Sequence, residues 1–151
     1  MAWAGELGKP VVIHDRDAHQ EVLATLANWA QEMQGSPLAG RLGVLHTFSG
    51  DLSMAERIIE LGFYVSISGP VTYTNERRLP EIVRAVPMER LLIETDCPFL
   101  PPHPHRGQRN EPAYVRLVAE RVADLRDVPL STLAEATTAN AKRLFGLDGA
   151  L

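Results

Sequence analysis

The sequence predicts an α/β protein in which a parallel β-sheet is covered by helices. Short runs of apolar, often β-branched residues alternate four times with segments of helical periodicity. These runs are apolar throughout, as in strands that are buried on both faces. Three of them end in a polar residue, which favours a (β/α)₈ barrel over an open doubly wound sheet, because barrel enzymes build their active sites at the carboxyl ends of the strands.

The first predicted unit is a strand at residues 9–14, which ends in His14, followed by a helix at 17–34. Gly35 and Pro37 end this helix. Residues 1–8 are predicted to be the end of a helix that precedes the first strand. The second unit is a strand at 42–46, which ends in His46, and a helix that the capping box at residues 53–56 opens and Gly62 closes.

The third unit is a strand at 63–67, a turn at 68–72 and a helix from about Leu79. The fourth strand, at 91–95, leads into Asp96 and a proline-rich loop. The next helix is predicted to begin at Pro112, with Asn110 or Glu111 as its cap. A last helix is predicted at 131–144, ended by Gly146.

Composition limits the function classes. The chain has 151 residues and a mass of 16.6 kDa, which permits one domain, 1–151. Its formal net charge is -4, so no global positive field attracts nucleic acid or an anionic membrane, and any phosphate binding must be local. The single cysteine and the absence of a signal-like or membrane-spanning segment predict a cytoplasmic protein without a membrane partner.

The chemistry is predicted at the ends of the strands. His14, His46 and Asp96 supply two imidazoles and a carboxylate, which suit Zn²⁺, Mn²⁺ or Mg²⁺. A metal ion there would make a bound water acidic, and Asp96 would act both as a ligand and as the proton acceptor. Each residue taken alone is more often structural, but a barrel brings all three to one rim. The arrangement therefore predicts a metal-dependent hydrolase.

The long loop after the fourth strand carries candidate substrate contacts. Arg106 and Arg109 present guanidinium groups that suit phosphate, and Asn110 is either a third contact or the cap of the next helix. Glu94 lies two residues before Asp96, so both side chains take the same direction. Glu94 is predicted to orient a metal ligand or to form a buried ion pair. Cys97 is predicted to be a buried thiol.

Six blocks of sequence resemble the TatD family of metal-dependent deoxyribonucleases. The blocks are PVVIHDRDA at 10–18, GVLHTFSG at 43–50, GFYVSISG at 62–69, RLLIETDCP at 90–98, RGQRNEP at 106–112 and NAKRLFG at 140–146. The resemblance covers essentially the whole chain. It implies an amidohydrolase-like (β/α)₈ TIM barrel that cleaves phosphodiester bonds of DNA, single-stranded or at 3′ ends, with divalent metal ions as a 3′-to-5′ exonuclease.

By this resemblance His14, His46 and Asp96 match the family's metal ligands on its fifth, sixth and eighth strands. The family's His-x-His pair on the first strand and its glutamate on the fourth have no counterpart in this sequence. A full barrel needs about 250 residues. The resemblance therefore implies that the chain corresponds to the C-terminal half, strands five to eight, and we expect its open sheet edges to pair in a homo-oligomer or with a separate N-terminal half.

Two alternatives stay open at this stage. One is a related metal hydrolase that acts on ester or amide bonds, because fold does not fix function. The other is an inactive fragment or interaction module that retains the half barrel.

Overall fold

The computed structural model describes residues 1–147, so the last four residues of the predicted domain lie outside the described residues. In this described part of the chain, four strands form one parallel sheet in the order β1-β2-β3-β4. Their bounds are β1 Val11–His14, β2 Gly43–His46, β3 Tyr64–Ile67 and β4 Leu91–Ile93. Each predicted strand is present, and the parallel α/β fold class is confirmed.

Within residues 1–147, six α-helices precede, connect or follow the strands. They are α1 Ala2–Glu6, α2 His19–Glu32, α3 Leu52–Glu60, α4 Arg78–Ala85, α5 Val115–Arg126 and α6 Leu130–Phe145. Short 3₁₀ helices occupy Gly69–Thr72, Met88–Arg90 and Pro112–Tyr114. The helix predicted before the first strand is α1, and the turn predicted after the third strand is a 3₁₀ helix.

The cap of α3 differs from the prediction. Asp51, not Ser53, is the N-cap: its backbone is extended, and its carboxylate accepts a hydrogen bond from the Met54 backbone N–H at 2.8 Å. This contact and the Ser53 hydroxyl, which also donates to the carboxylate, lower the pKa of Asp51. Asp51 thus has the capping role that the sequence pattern assigns to Ser53, and the helix begins at Leu52.

The two faces of the sheet have different environments. Side chains on the helix-covered face, such as Leu45, Val65 and Leu91, belong to the main hydrophobic core. Alternate residues point to the opposite face. There Val44, Tyr64 and Leu92 form a second buried cluster with Leu144 of α6.

The C-terminal helix is fixed beneath β4 by a buried asparagine. Asn140 is 3% exposed, and its amide donates to the carbonyls of Met88 and Leu91 at 2.7 and 2.9 Å. Because these carbonyls flank the start of β4, the side chain ties α6 to the edge of the sheet. This contact explains structurally why an asparagine stands at the head of the last sequence block.

The second face is open at β1. Val12, on the same face as Val44, is 60% exposed, and Trp3 of α1 is 80% exposed. At the other edge, β4 and helices α5 and α6 line an open cleft rich in apolar side chains. Within residues 1–147, β1 and β4 each pair with only one strand. Over the same residues, none of the helices combines the length and apolar character needed to cross a membrane.

Candidate metal centre

His14 and His46 meet at the carboxyl ends of β1 and β2. They are register partners in the parallel pair, so their side chains leave the same face at the same height. His14 Nδ1 lies 3.0 Å from His46 Nε2, and the ring centroids are 5.1 Å apart. The sheet register therefore brings together two imidazoles that are separated by more than thirty residues in sequence.

Glu94, just past the end of β4, joins the ends of three strands. Its Oε1 accepts hydrogen bonds from the Thr47 backbone N–H at 2.7 Å and the Thr47 hydroxyl at 2.6 Å, and lies 3.3 Å from His46 Nδ1. Its Oε2 accepts from the Ser66 hydroxyl at 2.6 Å. Of the two roles that the sequence leaves open for Glu94, contact with a predicted ligand is the one that this geometry supports.

These contacts specify the tautomer of His46. A carboxylate only accepts hydrogen bonds, so the facing His46 Nδ1 must carry the proton. In the neutral ring Nε2 is then an acceptor, and His14 Nδ1 donates to it. His46 Nε2 is thus the nitrogen with a lone pair for a metal ion, and metal binding would replace its hydrogen bond with His14.

Thr47 stands in a strained backbone conformation. Its φ of 46° lies in the left-handed region, which β-branched residues rarely adopt. Such a conformation costs about 1–2 kcal/mol. The two hydrogen bonds to Glu94 offset this cost, because they satisfy both the backbone N–H and the side-chain hydroxyl of Thr47.

Asp96 lines the same cavity as His14. The cavity has a volume of about 550 Å³ and lies at the carboxyl ends of the strands. Asp96 also adopts a left-handed backbone conformation, with φ of 57°, which turns the chain sharply after β4. Other residues of the lining are Asp15, Arg16, Thr47, Phe48, Ser49, Pro70, Glu76, Leu79, Phe99 and Leu100.

The donor set fits a divalent metal ion by its chemistry. Two neutral imidazoles and a carboxylate are suitable ligands for Zn²⁺ or Mn²⁺, and Glu94 orients one imidazole as partners of metal-bound histidines do. The ligands are only partly assembled: among residues 1–147, no three His, Cys, Asp or Glu side chains are grouped closely enough to hold an ion. The two histidines contact each other, and Asp96 shares with His14 only the lining of the cavity, in which His46 has no part.

The loop after β4 is held by Asn110. This side chain is 2% exposed, and its amide donates to the carbonyls of Thr95 and Phe99 at 2.7 and 2.6 Å. Its oxygen accepts from the Glu111 backbone N–H at 2.9 Å. The contact with substrate that the sequence suggests for Asn110 therefore has neither amide hydrogen left to make it. Glu111, the other predicted cap, is the N-cap residue of the following 3₁₀ helix.

Arg106 and Arg109 are both exposed on this loop. The Arg106 guanidinium lies 4.2 Å from the centre of the Tyr73 ring, a cation–π arrangement. Partial burial raises the pKa of the Tyr73 hydroxyl, and the nearby Arg106 charge opposes the shift. Cys97 is exposed, so its predicted burial is wrong: the turn at Asp96 carries it outward.

Sequence reasoning misses Thr47 and Ser66. Thr47 follows β2 and Ser66 lies within β3, and neither carries a charge, so nothing in the pattern distinguishes them from ordinary strand residues. Their relation to Glu94 depends on the pairing of β2 with β3 and of β3 with β4. Arg16, two residues after His14, is interpreted from its position as structural, and it lines the cavity beside His14.

The sequence is similar to proteins of the TatD-related family. The sequence model of the family described as TatD related DNase matches residues 1–146. The chain is 44% identical over 148 residues to the uncharacterized metal-dependent hydrolase YabD of Bacillus subtilis, covering 98% of this chain and 55% of that protein. It is 39% identical over 155 residues to the 3′-5′ ssDNA/RNA exonuclease TatD of Klebsiella pneumoniae, covering 98% and 56%.

The fold agrees with a solved relative. The crystal structure of the TatD homologue YJJV from Escherichia coli aligns with a TM-score of 0.86 and 30% identity over 96% of this chain and 53% of that one. The chain thus spans about half the length of the relatives it matches.

Proposed function

The chain belongs to the TatD-related DNase family of metal-dependent hydrolases, and on this premise we propose that it hydrolyses phosphodiester bonds of single-stranded DNA from the 3′ end. The observation that carries the proposal is the His14–His46 pair with Glu94 behind it, beside a cavity that Asp96 lines. A relative named as a 3′-5′ ssDNA/RNA exonuclease supports the substrate. The single cysteine supports a cytoplasmic location.

In this proposal His14, His46 and Asp96 hold one divalent ion, Mg²⁺, Mn²⁺ or Zn²⁺. The chemistry that such an ion supplies when bound is Lewis acidity and a water of lowered pKa. Glu94 keeps the proton on His46 Nδ1 and so presents Nε2 as a ligand. Asp96 accepts the proton of the attacking water at its carboxylate.

Substrate is held by the loop after β4. Arg106 and Arg109 contact phosphate oxygens, to which guanidinium groups donate paired hydrogen bonds. Asn110 acts indirectly: by bonding the carbonyls of Thr95 and Phe99, it fixes the loop that carries both arginines. The barrel of the relatives would place this loop above the carboxyl ends of the strands.

We also propose that residues 1–151 correspond to strands five to eight of an amidohydrolase-like (β/α)₈ barrel. The four parallel strands in sequential order and the half-length match to the relatives support this correspondence. The exposed Val12 face and the single pairing of β1 and β4 in the described part of the chain support pairing with a second half or a second copy.

A second candidate is a chain that does not hydrolyse DNA by itself and acts as an inactive fragment or interaction module. The observation in its favour is that residues 1–147 bring no three ligands within reach of one ion. Action on an ester or amide bond remains chemically open to the same donor set.

The test compares Asp96→Asn with the wild-type chain on 5′-labelled single-stranded DNA in Mg²⁺, Mn²⁺ or Zn²⁺. Loss of a ligand that is also the proton acceptor should lower the rate by about a hundredfold or more. Asp127→Asn is a matched control, because Asp127 also has a left-handed backbone conformation (φ 54°) but caps α5, and asparagine tolerates that conformation.

Calorimetric titration with the same ions gives a second readout. We expect Asp96→Asn to weaken metal binding and Asp127→Asn to leave it unchanged. Equal activity and metal affinity in the two variants would exclude the assigned site. No hydrolysis by wild type, with or without metal binding, would favour the second candidate.

A further inference from the structure

A second cavity, outside the candidate metal centre, is lined by three arginines. It has a volume of about 570 Å³. Arg77 lies at the N-cap of α4, Arg84 lies in the last turn of α4, and Arg121 lies on the neighbouring helix α5. We call this cavity the arginine cleft; its remaining lining is Thr72, Tyr73, Thr74, Glu76 and Pro80.

The positive charge of the arginine cleft is only partly balanced by the protein. Among residues 1–147, none of the three arginines of the cleft forms an ion pair. By contrast, Arg57 and Arg116 each pair with a glutamate one helical turn away. The single carboxylate of the lining, Glu76, accepts hydrogen bonds from the backbone N–H groups that begin α4. With three guanidinium groups and one carboxylate, the lining carries a formal net charge of +2 in a chain of net charge -4, and so forms a local site for an anion.

The arginine cleft adjoins the cavity lined by His14 and Asp96, which we call the metal-centre cavity. Glu76 lines both cavities, and the 3₁₀ helix Gly69–Thr72 runs from Pro70 in one to Thr72 in the other. Tyr73 lines the arginine cleft, lies beneath the Arg106 guanidinium and donates a hydrogen bond to the Pro101 carbonyl at 3.1 Å. The loop with the candidate substrate contacts thus borders the arginine cleft as well.

We propose that the arginine cleft binds backbone phosphates of a single nucleic-acid strand whose terminal bond lies in the metal-centre cavity. This inference rests on the proposed function, which supplies the strand. Guanidinium groups suit phosphate because they donate two parallel hydrogen bonds and keep their charge at any working pH. Free polyphosphate offers the same chemistry, but the position of the arginine cleft next to the metal-centre cavity favours a strand that occupies both.

The experiment measures strand binding without hydrolysis. Fluorescence anisotropy in EDTA follows a labelled single-stranded dodecanucleotide and a trinucleotide over a series of salt concentrations. The test variant is Arg84→Gln with Arg121→Gln, and the matched control is Arg57→Gln with Arg116→Gln, which removes the same charge elsewhere. Thermal unfolding verifies that both variants are folded.

We expect the test variant to bind the dodecanucleotide about tenfold more weakly than wild type at moderate salt. The slope of log K against log salt should be smaller by about 1.4, or about 0.7 for each phosphate that the variant no longer neutralises. The trinucleotide is too short to reach from the metal-centre cavity across the arginine cleft, so it should bind wild type and the test variant equally. The control variant should keep the wild-type slope.

An unchanged salt slope in the test variant overturns the inference, and so does a loss of affinity in the control variant equal to that in the test variant. A wild-type chain that does not bind the dodecanucleotide also overturns it. Stronger binding of inorganic polyphosphate than of a strand of equal charge overturns the assignment to nucleic acid. If wild type binds through the arginine cleft but cleaves no DNA with any of the metals, the inference stands and the proposed function fails.

Discussion

Replacing Glu94 tests whether this carboxylate organises the strand ends. Glu94→Ala removes three short hydrogen bonds, two from Thr47 and one from Ser66. The Glu94 side chain is 24% exposed, so for each bond we take the lower end of the range of stabilisation free energies that hydrogen bonds to a charged group contribute. Because two of the bonds share one oxygen and are not additive, we expect a loss of about 3 kcal/mol in the free energy of unfolding.

Glu94→Gln keeps an acceptor for Thr47 and places an amide nitrogen opposite the Ser66 hydroxyl, so we expect a loss of only about 1 kcal/mol. Glu60→Ala is the control: Glu60 pairs with Arg57 on the surface, with both side chains more than half exposed. That pair should contribute less than about 1 kcal/mol. Urea unfolding measures all three variants, provided that the denaturant slope stays constant.

The same variants test the orientation of His46. Nitrogen-15 spectra of the histidine rings should show the proton on Nδ1 in wild type, weaker preference in Glu94→Gln, and loss of the preference in Glu94→Ala. The reasoning fails if Glu94→Ala is as stable as Glu60→Ala, or if His46 keeps the Nδ1–H tautomer in Glu94→Ala.

Three further outcomes follow from contacts elsewhere in the chain. Asn140→Asp should cost about 3 kcal/mol or more in urea unfolding, because it turns a buried carboxylate toward two carbonyls, and Asn140→Ala should cost less. Gly69→Ala should cost about 1–3 kcal/mol by the same measurement, since a Cβ would lie 2.0 Å from the Leu100 carbonyl oxygen; wild-type stability would refute this contact. The lowered pKa of Asp51, held by the Met54 N–H, means that its stabilising effect is present above the unfolded pKa of about 3.9 and is lost as the pH falls through the lower folded pKa. Asp51→Asn should therefore flatten the acid side of the stability profile, and an unchanged profile would contradict the assignment.

Much of the fold follows from local pattern. The four apolar runs and the helical periodicity between them predict the strands and helices, because burial on both faces of a parallel sheet leaves a continuous apolar signal. Boundaries are less determined: the α3 cap at Asp51 and the end of β4 at Ile93 depend on individual hydrogen bonds that several nearby polar residues can make.

For the candidate site too, sequence position indicates some residues, and only the structure shows what others do. Sequence position alone indicates His14, His46 and Asp96, since each follows or ends a strand and parallel strands end at one edge. It leaves Asn110 undecided between a substrate contact and a helix cap, whereas in the structure Asn110 is buried and bonds the Thr95 and Phe99 carbonyls, and Glu111 is the cap.

By itself the sequence determined that this is a parallel α/β chain of the TatD-related family with ligand-type residues at its strand ends, because periodicity and motif spacing are properties of neighbours along the chain. Only the tertiary structure decided that Glu94 contacts His46, Thr47 and Ser66, and that three arginines of two helices face one cleft. These relations join residues that are distant in sequence, and strand register and helix packing bring them together.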